Sequence, residues 1–265
     1  MLKISHLDII FNLGNVNEIH ALKDINLHLP PGEFLAIIGS NGAGKSTLLN
    51  AVAGVFPPTN GQIVINDQDV STWPEHRRAT MVGRVFQNPL MGTAASMSIE
   101  QNLTLAIKRG QTRGLGIGVT AKRRTQFREA LAHFGLGLEN RLDSKVSLLS
   151  GGQRQTLTLL MATLARPKIL LLDEHTAALD PATAHKIVQI TNQIISETQL
   201  TTIMVTHNMR QALEMGTRTI MMHEGQILFD FSGQERADLT VPKLLQMFAE
   251  VRQQELAEDR LLLAD

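Results

Sequence analysis

The chain has 265 residues with 25 acidic and 25 basic side chains, so its balanced charge gives no reason to expect nucleic acid as a partner. Cysteine is absent, which excludes disulfides and thiolate metal sites. We expect no signal peptide and no membrane span, because polar residues interrupt the apolar N-terminus and no window approaches the ~18 apolar residues of a span. A membrane span would then belong to another chain.

The pattern of the first 38 residues predicts β-strands. Apolar and polar residues alternate there, which is typical of strands buried on one face. The turn signal Pro30-Pro31-Gly32 follows the second alternating stretch. The alternating apolar positions are Leu2, Ile4, Leu7, Ile9, Ile25, Leu27 and Leu29.

A glycine-rich loop follows an apolar strand at residues 34–38 and precedes a helix that should end near Gly54. The loop matches G-x-x-x-x-G-K-[ST] without a mismatch, which predicts a site for a nucleoside triphosphate, ATP. Glycines let backbone N–H groups converge on one point, and the helix directs the positive end of its dipole there. We expect Lys45 to reach the β- and γ-phosphates and the Ser46 hydroxyl to ligate Mg²⁺. The predicted nucleotide-binding residues are Gly39, Ser40, Asn41, Gly42, Ala43, Gly44, Lys45, Ser46 and Thr47.

The stretch from about residue 90 to 160 changes to helical periodicity. Apolar residues mark the faces of separate helices at Leu103 and Ile107, and again from Phe127 to Phe134. Between these helices lies a basic, glycine-rich segment at residues 108–124. Its composition is typical of a solvated flexible loop, and the alternative is a contact with anionic lipid heads or a membrane partner.

Strands and helices alternate over much of the remaining sequence. This alternation predicts an α/β fold whose mostly parallel sheet is covered on both faces. The predicted strands are residues 61–67, 81–86, 168–172, 201–206 and 218–222, and the predicted helices are residues 181–197, 208–215 and 241–256.

Two carboxylates follow one of these strands. Residues 169–172 are all apolar, so we expect a strand buried on both faces whose end delivers Asp173 and Glu174 to the ligand-binding edge of the sheet. Asp173 would hold Mg²⁺ through water, and Glu174 would polarise the attacking water. The alternative is a buried strand that merely ends in acids.

A second anion cradle is formed by Ser150, Gly151, Gly152 and Gln153 at the start of a helix predicted over residues 153–165. Alone, such a sequence is usually a helix cap. In a chain that already has a phosphate loop, it predicts a contact either with another ligand or with the same ligand bound to another subunit.

Six motifs occur in the order found in ABC transporter ATPases, and the chain resembles that family over about residues 1–230. They are GSNGAGKST, Gln87 in VFQNP, LSGGQ, ILLLDE, the loop Ala178-Leu179-Asp180, and His207 in IMVTH. The resemblance implies a P-loop NTPase fold of the RecA-like type, with an N-terminal antiparallel β part and an inserted α-helical subdomain. It places the core lobe at about 1–89 and 161–230 and the helical subdomain at about 90–160. The helix predicted beyond residue 230 makes residues 231–265 a short C-terminal helical extension.

The resemblance also implies an assembly. Two copies, or one copy and a homologous ATPase, would form a head-to-tail dimer around two ATP, each held by the phosphate loop of one subunit and LSGGQ of the other. Transmembrane permease subunits and a substrate-binding protein are the further partners it implies. The ATPase would then lie on the cytoplasmic side of the inner membrane, attached through the permease.

Individual roles follow from the same resemblance. Gln87 looks like the residue that senses Mg²⁺ and water and links to the membrane partner, and His207 looks like the residue that contacts the γ-phosphate. Together with Lys45 and Glu174 they form the predicted catalytic set. Asp180 resembles an interface aspartate, and it could equally be the N-cap of the following helix, since the two roles are compatible.

Adenine normally stacks on an aromatic residue ahead of the phosphate loop in this family. The chain has no tyrosine, and its one tryptophan, Trp73, lies after the loop. Phe11 is therefore the candidate, with simple core packing as the alternative.

The sequence departs from the common family pattern at His175, where many relatives have proline. Three features together resemble ATPases of bacterial amino-acid-type importers: His175 and the segments GRVFQNPLMGTAASMSIEQNL and LGLENRL. This resemblance implies that hydrolysis would power the uptake of small solutes. The first alternative is an exporter or a lipid-extracting pump. The second, a soluble ABC ATPase acting on DNA or ribosomes, would carry two ATPase units or a long coiled-coil insertion, and this sequence has neither.

Overall fold

The computed structural model describes residues 1–111 and 118–262, with side chains up to residue 251. Within these ranges the strands are Leu2–Phe11 (β1), Ile19–Leu29 (β2), Phe34–Gly39 (β3), Asn60–Ile65 (β4), Gln68–Asp69 (β5), Val82–Val85 (β6), Ile169–Asp173 (β7), Thr201–Val205 (β8), Arg218–His223 (β9) and Gln226–Phe231 (β10). The helices are Lys45–Ala53 (α1), Glu75–Arg78 (α2), Ile99–Ile107 (α3), Ala121–Ala132 (α4), Gly151–Leu164 (α5), Pro181–Thr198 (α6), Met209–Met215 (α7), Gly233–Ala237 (α8) and Val241–Leu262 (α9).

The strands form two sheets. One has the order β10-β9-β3-β8-β7-β6 and is parallel except for its edge strand β10, which runs antiparallel to β9. The other has the order β2-β1-β4-β5 and is antiparallel throughout. The α/β fold with a mostly parallel sheet and an N-terminal antiparallel part is thereby confirmed.

The central strand β3 is buried on both faces and divides the core. Phe34, Ala36 and Ile38 face a hydrophobic cluster that includes residues of α3, α4, α5 and α6. Leu35 and Ile37 face a second cluster, built with α1 and the antiparallel sheet. Each fully buried large side chain contributes roughly 1.5–3 kcal/mol relative to exposure. This double burial explains why the strand reads as an unbroken apolar run.

The basic segment at residues 108–124 is only partly a loop. Its residues 112–117 lie outside the described residues, and Lys122, Arg123 and Arg124 belong to the first turn of α4. Arg124 donates two hydrogen bonds of 2.6 Å to the Glu100 carboxylate on α3. A contact of this segment with lipid heads stays a prediction. In the described ranges, no helix combines the length and the apolar character needed to cross a bilayer.

Candidate functional site

The phosphate loop lies at the carboxyl edge of the parallel sheet, between β3 and α1. Gly44 precedes the helix with φ 93° and provides no side-chain cap, so the first N–H groups of α1 face outward. Gly42 also has a positive φ, of 83°. Gly39 permits a close backbone approach, because a Cβ there would collide with the carbonyl oxygen of Met222. The loop is thus an open cradle of backbone donors at a helix N-terminus, as an anion requires.

Lys45 curls back over this loop. Its Nζ donates to the carbonyl oxygens of Gly39 at 2.9 Å and Ser40 at 2.7 Å. Burial lowers the pKa of the Lys45 ammonium, and the nearby carboxylates of Glu174 and Asp173 oppose that shift. The ammonium is therefore partly desolvated next to the cradle, where attraction to a phosphate is less screened than in water.

Sheet order brings the other predicted residues to the same edge. Strand β8 lies between β3 and β7, so the residues after the carboxyl ends of these three strands are neighbours. A cavity of about 210 Å³ results, and Glu174 is the one member of its lining that comes after β7. The remaining lining residues are Asn41, Gly42, Ala43, Gly44, Lys45, Ser46 and Thr47.

Three predicted catalytic side chains meet at one carboxylate oxygen. Gln87 Nε2 donates to Glu174 Oε2 at 3.2 Å, and His207 Nδ1 lies 3.4 Å from the same oxygen. Glu174 has φ 43°, and its N–H donates to the Val205 carbonyl at 3.0 Å. In the described residues Oε1 has no hydrogen bond, so the contacts to Gln87 and His207 orient the carboxylate through its other oxygen.

Asp173 is held from behind by an arginine. Arg84 on β6 places Nη2 at 3.2 Å from Asp173 Oδ2, and both side chains are mostly buried. The same guanidinium donates to Asn50 on α1 at 2.8 Å and lies over the Phe86 ring. Sequence reasoning missed Arg84. The available signal was a charged residue inside an otherwise apolar strand, because a buried arginine requires a partner.

A second side chain missed by sequence reasoning is Gln211 on α7. It exchanges hydrogen bonds with Thr176 Oγ1 and accepts one from Thr206 Oγ1 at 3.0 Å. Thr206 immediately precedes His207, and Thr176 lies two residues after Glu174. Gln211 therefore links the two loops that carry the predicted catalytic carboxylate and histidine.

His175 points away from the cavity. It is fully buried, and its Nε2 lies 3.3 Å from Thr191 Oγ1 on α6. Burial lowers the pKa of the His175 imidazole to about 4, so the ring is neutral near neutral pH. His175 therefore packs in the core, while its neighbour Glu174 faces the cavity.

The LSGGQ segment lies apart from this cavity in the described chain, since none of its residues contributes to the lining. Ser150 caps α5 by accepting from the Gln153 N–H at 3.3 Å, and Gln153 Oε1 accepts from the Ser150 N–H at 3.2 Å. Ser150 and Gly151 are exposed. Gly152 packs closely on Thr183, so close that a Cβ would collide. The segment is thus a capped helix start that remains accessible to another molecule.

Two further predicted binding residues have structural partners. Asp180 caps α6, with Oδ1 accepting from the Thr183 N–H at 3.0 Å, and its hydrogen bonds to Thr183 lower the pKa of the carboxyl. The cap is present, and the role at a subunit interface stays a prediction. Phe11 ends β1 and packs edge-on against Phe56, with ring centroids 5.1 Å apart. It is only partly buried, so adenine stacking also stays a prediction.

Known proteins resemble this chain closely. The sequence profile of the ABC transporter family matches residues 22–177. The tyrosine transport ATP-binding protein of Clostridioides difficile (strain R20291) is 44% identical over 227 residues, which cover 85% of this chain and 90% of that protein. The thiamine import ATP-binding protein of Yersinia pseudotuberculosis serotype I (strain IP32953) is 38% identical over 221 residues, which cover 82% of this chain and 87% of that protein.

A solved structure shares the fold over nearly its whole length. It is a dimeric ATP-binding cassette in a post-hydrolysis state, bound to ADP and Pi. It superposes with a TM-score of 0.75 at 30% sequence identity, covering 88% of this chain and 98% of that one.

Fold and site together define a P-loop nucleoside triphosphatase: a strand, a phosphate loop and a helix, with acids at the end of a nearby parallel strand. The family match then gives the narrower assignment. The chain belongs to the ABC transporter family, as an ATP-binding subunit that hydrolyses ATP to power transport.

Proposed function

We propose that the chain powers an importer of amino acids or similar small solutes, as one ATPase of a head-to-tail dimer. The observation that carries the proposal is the division of the nucleotide site. The phosphate loop and Glu174 line one cavity and Gln87 and His207 contact Glu174, whereas the Ser150 cradle lies outside that lining and is exposed. A second copy turned head to tail would bring its own Ser150 to this nucleotide and complete the site.

Hydrolysis would start from Glu174. Its carboxylate is oriented through Oε2 by Gln87 and His207, so Oε1 is placed to accept a hydrogen bond from the attacking water. Lys45 and the N–H groups of the phosphate loop would stabilise the charge that develops on the γ-phosphoryl oxygens. His207 would add a donor beside Glu174, and the LSGGQ segment of the partner copy would add donors from the opposite side. Catalysis is then mainly positioning and charge stabilisation.

The site also fits Mg²⁺. Mg²⁺ is commonly bound by one or two protein oxygens together with water and substrate phosphates. The Ser46 hydroxyl at the cavity and the Asp173 carboxylate at the end of β7 supply such hard oxygen ligands, and Gln87 offers an amide oxygen nearby. Held there by Ser46 and Asp173, Mg²⁺ would supply positive charge that neutralises part of the charge on the phosphates.

A second cavity supports contact with a permease. It has a volume of about 240 Å³ and is lined by Arg84, Phe86, Met91 and Arg109, among others. Met91 is 69% exposed. Among the described residues, burial is the one influence on the Arg109 guanidinium, with no carboxylate or hydrogen-bond acceptor beside it. Burial lowers the pKa of Arg109, and an acidic side chain beside it would favour the charged form and offset that penalty. We infer that a permease segment with an apolar and an acidic side chain docks here, next to Gln87.

The direction and the cargo are inferred from the relatives. Two similar proteins are named for tyrosine transport and for thiamine import, so uptake of a small solute is the function that agrees with both. A substrate-binding protein would deliver that solute to the permease. The ATPase would then lie on the cytoplasmic side of the cell membrane, where ATP is available.

The oligomeric mass of Glu174→Gln, measured with and without Mg-ATP, tests the divided site. Slowed hydrolysis should trap the closed form, so ATP should shift the mass from one chain to two. The same variant carrying Ser150→Arg should remain monomeric, because the added side chain would block the partner's nucleotide. ATP-driven dimerisation of that double variant would contradict the head-to-tail arrangement.

A further inference from the structure

His175 connects the loop after β7 to the middle of α6. Its Nε2 lies 3.3 Å from Thr191 Oγ1, and the Thr191 hydroxyl donates its own proton to the Ile187 carbonyl at 2.7 Å. Because that proton is already used, Oγ1 must accept from His175. The network therefore assigns the ring proton to Nε2, and the imidazole is a donor to the helix.

The residue next to it needs such support. Glu174 has φ 43°, a left-handed conformation that costs a non-glycine residue about 1–3 kcal/mol and persists only where its surroundings hold it. Backbone bonds to Val205 and Ala177 hold one side of the turn. The bond from His175 to Thr191 holds the other side, and α6 is a helix of 18 residues that provides a rigid anchor.

We propose that His175 is a positioning residue: through its hydrogen bond to Thr191 it fixes the backbone of Glu174, so that the carboxylate meets Gln87 and His207. The proposal rests on the proposed role of Glu174 in hydrolysis. His175 and Thr191 lie outside the lining of the phosphate cavity, and both are buried. Their loss should therefore lower kcat and leave the KM for ATP nearly unchanged.

The test compares hydrolysis kinetics of His175→Ala and Thr191→Val in the full chain. A reacting group misplaced by about 1 Å can lose about 10²-fold in rate, so we expect kcat to fall about 10- to 100-fold in the first and about 3- to 10-fold in the second. KM for ATP should stay within about twofold. Thr191→Val removes the hydroxyl, and with it both the acceptor for His175 and the donor to Ile187, but it keeps the side-chain shape, which preserves folding. His175→Gln, whose amide can donate to Thr191, should recover part of the rate.

Thr198→Val is the matched control. Thr198 lies on the same helix, and its hydroxyl donates to the Ile194 carbonyl at 2.6 Å, as Thr191 does to Ile187. It has no hydrogen bond to the loop after β7 among the described residues. Its kcat should equal that of the unmodified chain.

A second comparison uses the Glu174→Gln background, where a residue that acts through Glu174 has little left to position. Thr191→Val should leave the residual hydrolysis of Glu174→Gln unchanged. The same fold loss in both backgrounds would show a merely structural role and overturn the proposal. Full kcat in His175→Ala and Thr191→Val, with Glu174→Gln inactive, would overturn it too while leaving the proposed function intact. Normal hydrolysis by Glu174→Gln would overturn both.

Discussion

Two helix N-termini in this chain are built to present N–H donors, and they differ in their caps. Helix α1 starts after Gly44, which provides no side chain, so its first donors stay available. Helix α5 starts after Ser150, whose hydroxyl already accepts from Gln153 in a capping box. An uncapped start in a phosphate loop has donors left over for a strongly charged ligand. A capped start is stable alone and keeps fewer donors for a contact made later.

The surroundings of the two helix starts differ as well. Lys45 and Glu174 line the cavity at α1, and Glu174 is in turn contacted by Gln87 and His207. At α5 the exposed groups are a hydroxyl and backbone, which can stabilise charge but cannot exchange a proton near neutral pH. The comparison suggests a division of roles. In the proposed dimer, one end would bind ATP and perform the chemistry, and the other end would close over the nucleotide of a partner.

The largest expected effect lies on the α1 side. Glu174→Gln keeps the shape of the side chain and removes its basicity, so hydrolysis should fall about 10²–10⁴-fold, the usual contribution of a general base. ATP affinity should change little. Phosphate release and equilibrium ATP binding measure the two quantities. Glu197→Gln, on the exposed side of α6, is the control and should hydrolyse normally. Normal turnover by the Glu174→Gln variant would contradict the assignment of the general base to the α1 side.

The two ends also differ in how well their residues could be predicted. The phosphate loop and the acids after β7 are short, continuous motifs, and the carboxyl ends of parallel strands lie together at one sheet edge. The strand pattern therefore led to Asp173 and Glu174, the family resemblance led to His207, and the structure brings all three to that edge. The pair of Arg84 and Asp173 spans 89 residues of sequence, and no local pattern names the partner of a buried arginine.

Two elements of the fold were also not predicted correctly from the sequence. Strand β10 was not predicted, because it is an edge strand with no fully buried residue. The start of α4 was interpreted as part of a basic loop, yet Thr120 caps the helix and Glu100 pairs with Arg124. Strand β10 pairs with β9, its direct neighbour in sequence, so what hid it was its weak burial, whereas the contact between Arg124 and Glu100 spans 24 residues. The buried central strands needed no such contact to be recognised.

A smaller effect is expected from acid, which should lower the stability of the chain through His175, the residue that follows Glu174. Burial lowers the pKa of His175 to about 4 from its ordinary 6.5, so the folded chain binds fewer protons than the unfolded chain between these values. Stability is then unaffected above about pH 7 and is lost as the pH falls from about 6.5 towards 4. The loss should reach about 2 kcal/mol at pH 5.

His175→Gln should remove most of this loss, and denaturant midpoints at about pH 7.5 and 5 measure it. His207→Gln is the control: the His207 side chain is 62% exposed, so this variant should keep the acid sensitivity of the unmodified chain. Equal acid sensitivity in His175→Gln and the unmodified chain would show that the loss arises elsewhere.

The smallest expected effect is that of removing the Ser150 cap of α5. It is informative because the chain contains a second cap of the same kind, which serves as a control. Ser98 starts α3 with the same capping box, and the N–H of Gln101 reaches its hydroxyl at 3.3 Å, the distance found between Gln153 and Ser150. Ser98→Ala and Ser150→Ala should each cost about 1 kcal/mol of stability, since each loses one cap.

Only Ser150→Ala should also weaken ATP-driven dimerisation, by about tenfold, the loss expected for one hydrogen bond to a charged phosphate. Dimerisation constants measured in the Glu174→Gln background would separate the two variants. If both weaken dimerisation equally, the α5 start acts only through helix stability. If Ser98→Ala leaves dimerisation unchanged and Ser150→Ala weakens it, the two identical caps differ because only one of them meets the nucleotide of a partner.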